Sequence, residues 1–220
     1  MNINPYRPPV HEGLNILQMD DDLILIDKPS GLLSVPGRGE DKQDCLISRV
    51  QQEYPEALIV HRLDMDTSGV MVLARNKSMH RELSLLFQER KTEKHYSAVV
   101  EGIVHQTSGR IDLPLLVDWP NRPKQQVNML MGKPAVTFFN VMSRNTDSDS
   151  TLMDLRPITG RTHQLRVHME FIGHAILGDD LYAPLESLSR SPRLLLHARQ
   201  LEFKHPISNQ TICCSSEIPF

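Results

Sequence analysis

His61-Arg62-Leu63-Asp64-Met65-Asp66-Thr67-Ser68-Gly69 runs directly into Val70-Met71-Val72-Leu73-Ala74, a dense polar stretch abutting an uninterrupted apolar one. Five consecutive apolar residues of this kind read as a buried strand. The polar run before them reads as a loop that presents its side chains at a sheet edge. On charge alone, an aspartate two residues from an arginine is as consistent with an ordinary surface ion pair as with a catalytic carboxylate. Asp66 places a second carboxylate beside the first.

Outward from this stretch the pattern is one of short strands and few helices. Ile16–Met19 and Leu23–Ile26 flank Asp20-Asp21-Asp22, which predicts a β-hairpin, and Lys28-Pro29-Ser30-Gly31 breaks its second strand. Leu46, Ile47, Val50 and Tyr54 recur at helical spacing behind Asp44, a candidate N-cap. Leu83, Leu86 and Phe87 place an apolar stripe on a helix over 78–90, and His95–Val100 reads as the next strand. Pro114, Pro120, Pro123 and Gly132 make 111–133 mostly loop or short hairpin. Val136–Met142 and Leu152–Leu155 read as strands across a polar turn. His163–Phe171 fits a helix that begins around Gly160 and Thr162 and stops at Gly173. Leu201–Phe203 and Thr211–Cys214 close the chain as strands. Without a regular βαβ rhythm, this order predicts an α+β fold with a mixed, largely antiparallel sheet flanked by helices and loops. The 220 residues are read as one domain, its only plausible split falling near 110–130.

Composition excludes more than it assigns. Hydrophobic residues make up 40% and charged residues 23%, as in ordinary globular chains. No apolar run approaches the roughly 18 residues of a membrane span, and Met1–Val10 lacks a signal-peptide layout, so a cytoplasmic protein without membrane association is expected. Cys45, Cys213 and Cys214 lack C-x-x-C spacing and are read as reduced structural cysteines. The net charge is −3, but residues 1–60 carry 5 basic against 10 acidic side chains, so the excess acid lies in that segment. Arg156, Arg161 and Arg166 lie in an acid-free stretch, and Arg122 and Lys124 in another; local basic loops on a neutral protein suit selective RNA binding. P-loop, G-x-G-x-x-G, G-x-S-x-G and H-E-x-x-H motifs are absent. His163 and His168 are five apart and point to different helical faces, which leaves no metal site to propose.

Three blocks in order carry a resemblance to a known family. His61-Arg62-Leu63-Asp64 with Thr67-Ser68-Gly69 resembles the H-R-L-D-x-x-T-S-G signature of the RluA family of pseudouridine synthases. Lys94-His95-Tyr96 resembles its K-x-Y element, and Gly160-Arg161-Thr162-His163-Gln164-Leu165-Arg166-Val167-His168 its G-R-x-H-Q-[IL]-R-x-H element. Lys28-Pro29-Ser30-Gly31, Ser34-Val35-Pro36-Gly37, Asp118-Trp119-Pro120-Asn121-Arg122-Pro123 and Leu177-Gly178-Asp179 extend it over essentially the whole chain. Many relatives carry an N-terminal S4-type RNA-binding module; the first hairpin here begins near residue 14, and no such module is expected.

The resemblance implies the pseudouridine synthase fold and a reaction in which the C1′–N1 bond of uridine breaks, the uracil turns, and C5 joins C1′. The nucleotide must be flipped out of its helix, at a cost of a few kcal/mol. By resemblance Asp64 is the catalytic carboxylate, as nucleophile or as base at the ribose 2′ position, and both roles need the ionised form. Arg166 would pair with it and keep it charged. Tyr96 would pack on uracil near C5. Arg62 would take the place of the flipped base, with a plain phosphate contact as the alternative, and His61, Arg161, Arg122 and Lys124 would meet RNA. No cofactor is implied. The branch it most resembles acts on structured RNA, both 23S ribosomal RNA and the anticodon stem-loop of certain transfer RNAs, and a monomer is expected. Two other classes compete: a hydrolase using Asp66 as second carboxylate, which would release free uracil, and a non-catalytic RNA-binding protein, in which Asp64→Asn would leave every activity intact.

Overall fold

The described residues of the computed structural model are 6–220, so the reading of Met1–Val10 lies partly outside them. In chain order the elements are β1 (Ile16–Met19), β2 (Leu23–Lys28), α1 (Leu46–Glu53), β3 (Leu58–Ile59), β4 (Ser68–Ala74), α2 (Lys77–Gln88), β5 (Thr92–Glu101) and β6 (Ser108–Asp112). There follow β7 (Leu115–Val117), β8 (Gln125–Val127), β9 (Val136–Asn145), β10 (Ser150–Pro157), α3 (Gln164–Phe171), α4 (Leu185–Ser189), β11 (Leu196–Lys204) and β12 (Thr211–Ser215). They form two compact units, residues 6–92 with 198–217, and 93–197 with 218–220.

In the first unit the strand order is β1-β2-β4-β11, with β3 beside β4 and β12 beside β11. The predicted hairpin forms as read: β1 and β2 pair antiparallel, and Asp20 Oδ1 accepts the Asp22 and Leu23 amides at 2.8 Å to close the turn. Every residue of β4 is buried, as a continuous apolar run in the middle of a sheet requires. Its core joins Leu23, Leu25, Val70 and Val72 to Met79 and Leu83 of α2 and to Leu201 and Phe203. Asn76 caps α2 by accepting the Met79 amide at 2.8 Å, so the helix begins at Lys77, one residue ahead of the predicted start.

The first helix corrects one expectation. Cys45, not Asp44, is the N-cap of α1, and Ser48 Oγ accepts the Cys45 amide at 2.9 Å. Asp44 faces Arg49 instead, in a two-point ion pair at 2.7 and 2.8 Å, and the guanidinium holds its carboxyl below the ordinary carboxylate range. A carboxylate that meets a guanidinium in fork geometry gains more than it would from one helix amide.

In the second unit β5, β10, β9 and β6 lie side by side, and β10–β5, β10–β9 and β6–β9 are antiparallel. Helix α3 buries Leu165 and Met169 against Ala98, Val100, Met153 and Leu155 of this sheet. Its ends follow the sequence reading closely: His163 takes the left-handed conformation (φ 54°) at its start, and Gly173 (φ 83°) stops it. After the end of β6, the proline-rich middle forms the two-stranded ribbon β7–β8, whose Leu115 and Val127 pack with Ala135 against Val167 of α3. The α+β class with an antiparallel sheet is therefore the observed one.

A polar network crosses the inner side of α3. Thr159 Oγ1 donates to Gln164 Oε1 at 2.7 Å, Gln164 Nε2 donates to Thr137 Oγ1 at 3.0 Å, and Thr137 Oγ1 lies 2.9 Å from His168 Nδ1. His168 Nε2 reaches the Leu113 carbonyl at 3.1 Å, which makes Nε2 the protonated nitrogen and Nδ1 the acceptor of the threonine hydroxyl. The ring is fully buried, and burial pushes its pKa below the ordinary imidazole value. The unfolded chain therefore binds a proton at His168 that the folded one refuses, so stability is whole above about pH 6.5 and declines as pH falls below it. Urea denaturation of the wild type between pH 7.5 and 5.5 is expected to show that loss, by up to about 1.4 kcal/mol per pH unit, and His168→Gln, though less stable throughout, to show a flatter profile.

Candidate active site

The motif loop between β3 and β4 is held by groups from the segment after β2. Lys28 is fully buried at the end of β2, and its ammonium donates to the carbonyls of Pro29 (2.9 Å), Leu32 (2.7 Å) and Met65 (2.9 Å). An ammonium has three protons and is costly to bury unless they are met. Ser30 Oγ donates to the Asp66 carbonyl at 2.7 Å, and Ser34 Oγ both donates to the Leu63 carbonyl (2.7 Å) and accepts the Leu63 amide (3.1 Å). The backbone on both sides of Asp64 is thus fixed from outside the loop. From inside, the Thr67 amide donates to the Asp64 carbonyl at 3.2 Å and closes a tight turn.

The side chains of this turn divide by exposure. Leu63, Thr67 and Ser68 are buried, Asp64 is half-buried, and Arg62 is exposed. His61 is engaged within the unit: its ring stacks on Phe87 with centroids 4.4 Å apart, and Nε2 accepts the Val72 amide at 3.1 Å. Gly69 (φ 117°) ends the motif because nothing larger fits; a Cβ there would lie 2.3 Å from the Ala198 carbonyl oxygen.

In the second unit Arg166 projects from α3, two residues from Gln164 and two from His168 and so on the side away from both. Its Nε and one terminal nitrogen donate to Asp179 at 2.7 and 2.6 Å, and that nitrogen also reaches Asp180 at 3.1 Å. Asp179 Oδ1 further accepts the Leu181 and Tyr182 amides. Arginine and aspartate are both buried, so the pair is a fixed fork rather than a mobile surface contact. Gly178 (φ 72°) lets the chain turn into Asp179, since a Cβ would meet the Arg193 carbonyl at 1.9 Å. The Tyr182 ring lies 5.2 Å from the Arg166 guanidinium carbon, its hydroxyl accepts the Gln125 amide at 2.8 Å, and it contacts His163 Nδ1 at 2.7 Å. Helix α3, the Asp179 turn and the β7–β8 ribbon are tied together around that arginine.

The remaining residues singled out by sequence also lie in this unit. Tyr96 is half-buried on β5, paired across from Leu155 and packed on the core. Beside it His95 is set between Asp154 (3.0 Å) and Glu93 (3.3 Å), and Arg156, then His95, hold the Glu93 carboxyl below its ordinary range. Arg161 donates to the Pro134 carbonyl at 3.1 Å. Arg122 and Lys124 stand on the loop joining β7 to β8. Sequence reasoning assigned no function to Lys28, Ser30, Ser34, Asp179 or Tyr182. The first four sit in quoted motif blocks, but no periodicity distinguishes them; Tyr182 has no such signal.

One group of possible cation ligands occurs among the described residues, Asp20, Asp22 and His205. His205 Nδ1 accepts the Ile207 and Ser208 amides, so the proton is on Nε2, which faces Asp20 at 3.4 Å. That ring is a hydrogen-bond donor to the carboxylate, not a lone pair for a cation.

A half-buried carboxylate on an immobilised turn, with an exposed arginine two residues before it, is equipped to act on a base or ribose brought to it. The pattern of the family described as RNA pseudouridylate synthase matches residues 22–171. The chain superimposes on the solved structure of human RNA pseudouridylate synthase domain containing 1 with a TM-score of 0.81 and 27% identity, covering 97% of this chain and 87% of the human one. Fold and motif loop together define an RNA pseudouridine synthase. The dual-specificity RNA pseudouridine synthase RluA of Salmonella typhi is 51% identical over 206 residues, 94% of each chain, and that of Pasteurella multocida (strain Pm70) is 46% identical over the full length of both. The chain belongs to the RluA family of pseudouridine synthases.

Two substitutions test the geometry by urea denaturation. Ser34→Ala removes both hydrogen bonds to Leu63 and is expected to destabilise the chain by about 1–3 kcal/mol. Asp179→Asn leaves the buried Arg166 guanidinium short of a charge and is expected to cost about 3 kcal/mol or more.

Proposed function

We propose that this enzyme isomerises specific uridines to pseudouridine in both 23S ribosomal RNA and the anticodon stem-loop of transfer RNA. The observation that carries the reading is the motif turn: Asp64 stands half-buried on a backbone that Lys28, Ser30 and Ser34 hold on either side. The relatives named for dual specificity match nearly the whole chain, which supports extending both RNA classes to it. The 220 residues act as a single catalytic domain, monomeric and cytoplasmic, in this proposal.

In the reaction the target nucleotide leaves its loop, where flipping costs least. Ionised Asp64 acts on the flipped nucleotide, the C1′–N1 bond breaks, the uracil turns, C5 joins C1′, and the C5 proton is lost to solvent while N1, freed of the ribose, takes one up. Tyr96 packs on the uracil near C5, and Arg166, oriented by Asp179, completes the catalytic set. Arg62 fills the space left by the base. His61, Arg161, Arg122 and Lys124 meet the RNA around it. Atoms and electrons balance within the nucleotide, so no cofactor or metal is required.

Transcripts of 23S ribosomal RNA and transfer RNA carrying [5-³H]uridine test this directly. The wild type is expected to release tritium from both without added metal, and Asp64→Asn to be slower by at least about a thousandfold. Absence of release from either RNA would overturn the dual specificity, and release of free uracil would overturn isomerisation.

A further inference from the structure

Trp119 is the chain's single tryptophan, and it is 65% exposed at the tip of the β7–β8 ribbon. Tryptophan joins a large apolar ring to a polar N–H and is enriched at surfaces that meet a partner. Its setting is built rather than incidental. The tip is closed by the Asp118 amide on the Lys124 carbonyl (2.9 Å), the Asn121 amide on the Asp118 carbonyl (3.0 Å) and the Lys124 amide on the Asn121 carbonyl (3.1 Å). The Asp118 carboxylate accepts from Asn121 Nδ2 at 2.9 Å. The Arg122 guanidinium carbon lies 4.0 Å from the centroid of the indole, and Arg122 Nε donates to the Trp119 carbonyl at 3.1 Å. The cation therefore covers the ring and anchors it at the same time.

Below the tip, the ribbon is tied to the Arg166 neighbourhood by the Gln125 amide on the Tyr182 hydroxyl and by the packing of Val127 on Val167. The indole is held on a supported scaffold, so little side-chain freedom is lost when something stacks on it. From Trp119 to Thr146 there is no aspartate or glutamate, while Arg122, Lys124 and Lys133 all lie in that stretch. A protein partner for an exposed aromatic would favour an apolar rim. A nucleotide needs a π-face for its base and positive charge for its phosphate, and this tip offers both.

We infer that Trp119, backed by Arg122, is a stacking platform for an unpaired base of the RNA substrate, distinct from the uridine that reacts. Lys124 and the free edge of the Arg122 guanidinium meet the adjoining phosphates. The inference rests on the RNA-modifying reading above and adds a second point of recognition to it. It also changes the part given to Arg122, which orients the platform as well as touching the backbone.

Because no other tryptophan contributes, intrinsic fluorescence reports on this ring alone. Wild-type protein titrated with an anticodon stem-loop RNA is expected to lose tryptophan emission, and with a fully paired duplex of equal length to lose little. In tritium-release kinetics Trp119→Ala is expected to raise KM about 10-fold with kcat changed by less than about twofold, and Trp119→Phe to recover most of the loss. Tritium release by the wild type with no quenching by the loop RNA, or a Trp119→Ala KM equal to that of the wild type, would overturn the platform and leave the activity standing. Quenching by the loop RNA without tritium release from any RNA would leave the platform standing and overturn the activity.

Discussion

The ammonium of Lys28 is the contact on which the motif turn depends. Burying a charged lysine completely would cost several kcal/mol if its protons went unmet. Here three carbonyls meet them, from Pro29, Leu32 and Met65. Those carbonyls lie beyond the last β2–β4 pair, Lys28 with Gly69, so one side chain carries the contact past the end of the ladder into the loop after β2 and the turn carrying Asp64. Ser30 and Ser34 extend the same arrangement along the loop. In the role proposed for Asp64, a fixed position matters as much as charge, because misplacement by about 1 Å can cost about a hundredfold in rate.

Helix α3 meets the same requirement differently. Gln164 and His168 are four apart and share a face, where they form a satisfied polar network with Thr137 and Thr159. Arg166 lies between them in sequence and opposite them in space, forked onto Asp179. One motif thus carries two jobs set by helical geometry: the outer pair of polar residues docks the helix, and the central one is presented by it. Partial satisfaction of such a network would be worse than none, which explains why each donor and acceptor in it is matched.

Much of this was readable in sequence. The hairpin around Asp20–Asp22, the buried strand at Val70–Ala74 and the helix from Gln164 to Phe171 follow from turn residues and apolar spacing, and they occur where expected. Residues whose placement depends on particular side-chain contacts were not readable. Asp44 looks like a helix cap until Arg49 is seen beside it. Lys28 looks like a strand-ending polar residue, because nothing local says that its stem turns inward to three carbonyls. Ser34 and Tyr182 bond to residues 29 and 57 positions away, and α4 is too short for any periodicity to show. For the site, motif blocks named Asp64, Tyr96 and Arg166, whereas the groups that hold the motif turn and Arg166 in place came only from the structure.

Amide hydrogen exchange in a Lys28→Met variant tests the central claim most directly. If the ammonium organises the motif turn, the Leu63 and Thr67 amides should exchange at least about a hundredfold faster than in the wild type, while Met153 and Leu155 on β10 keep their protection and show that the chain is still folded. Leu63 and Thr67 amides as slow as those of the wild type would contradict the account and place the origin of the turn's rigidity elsewhere.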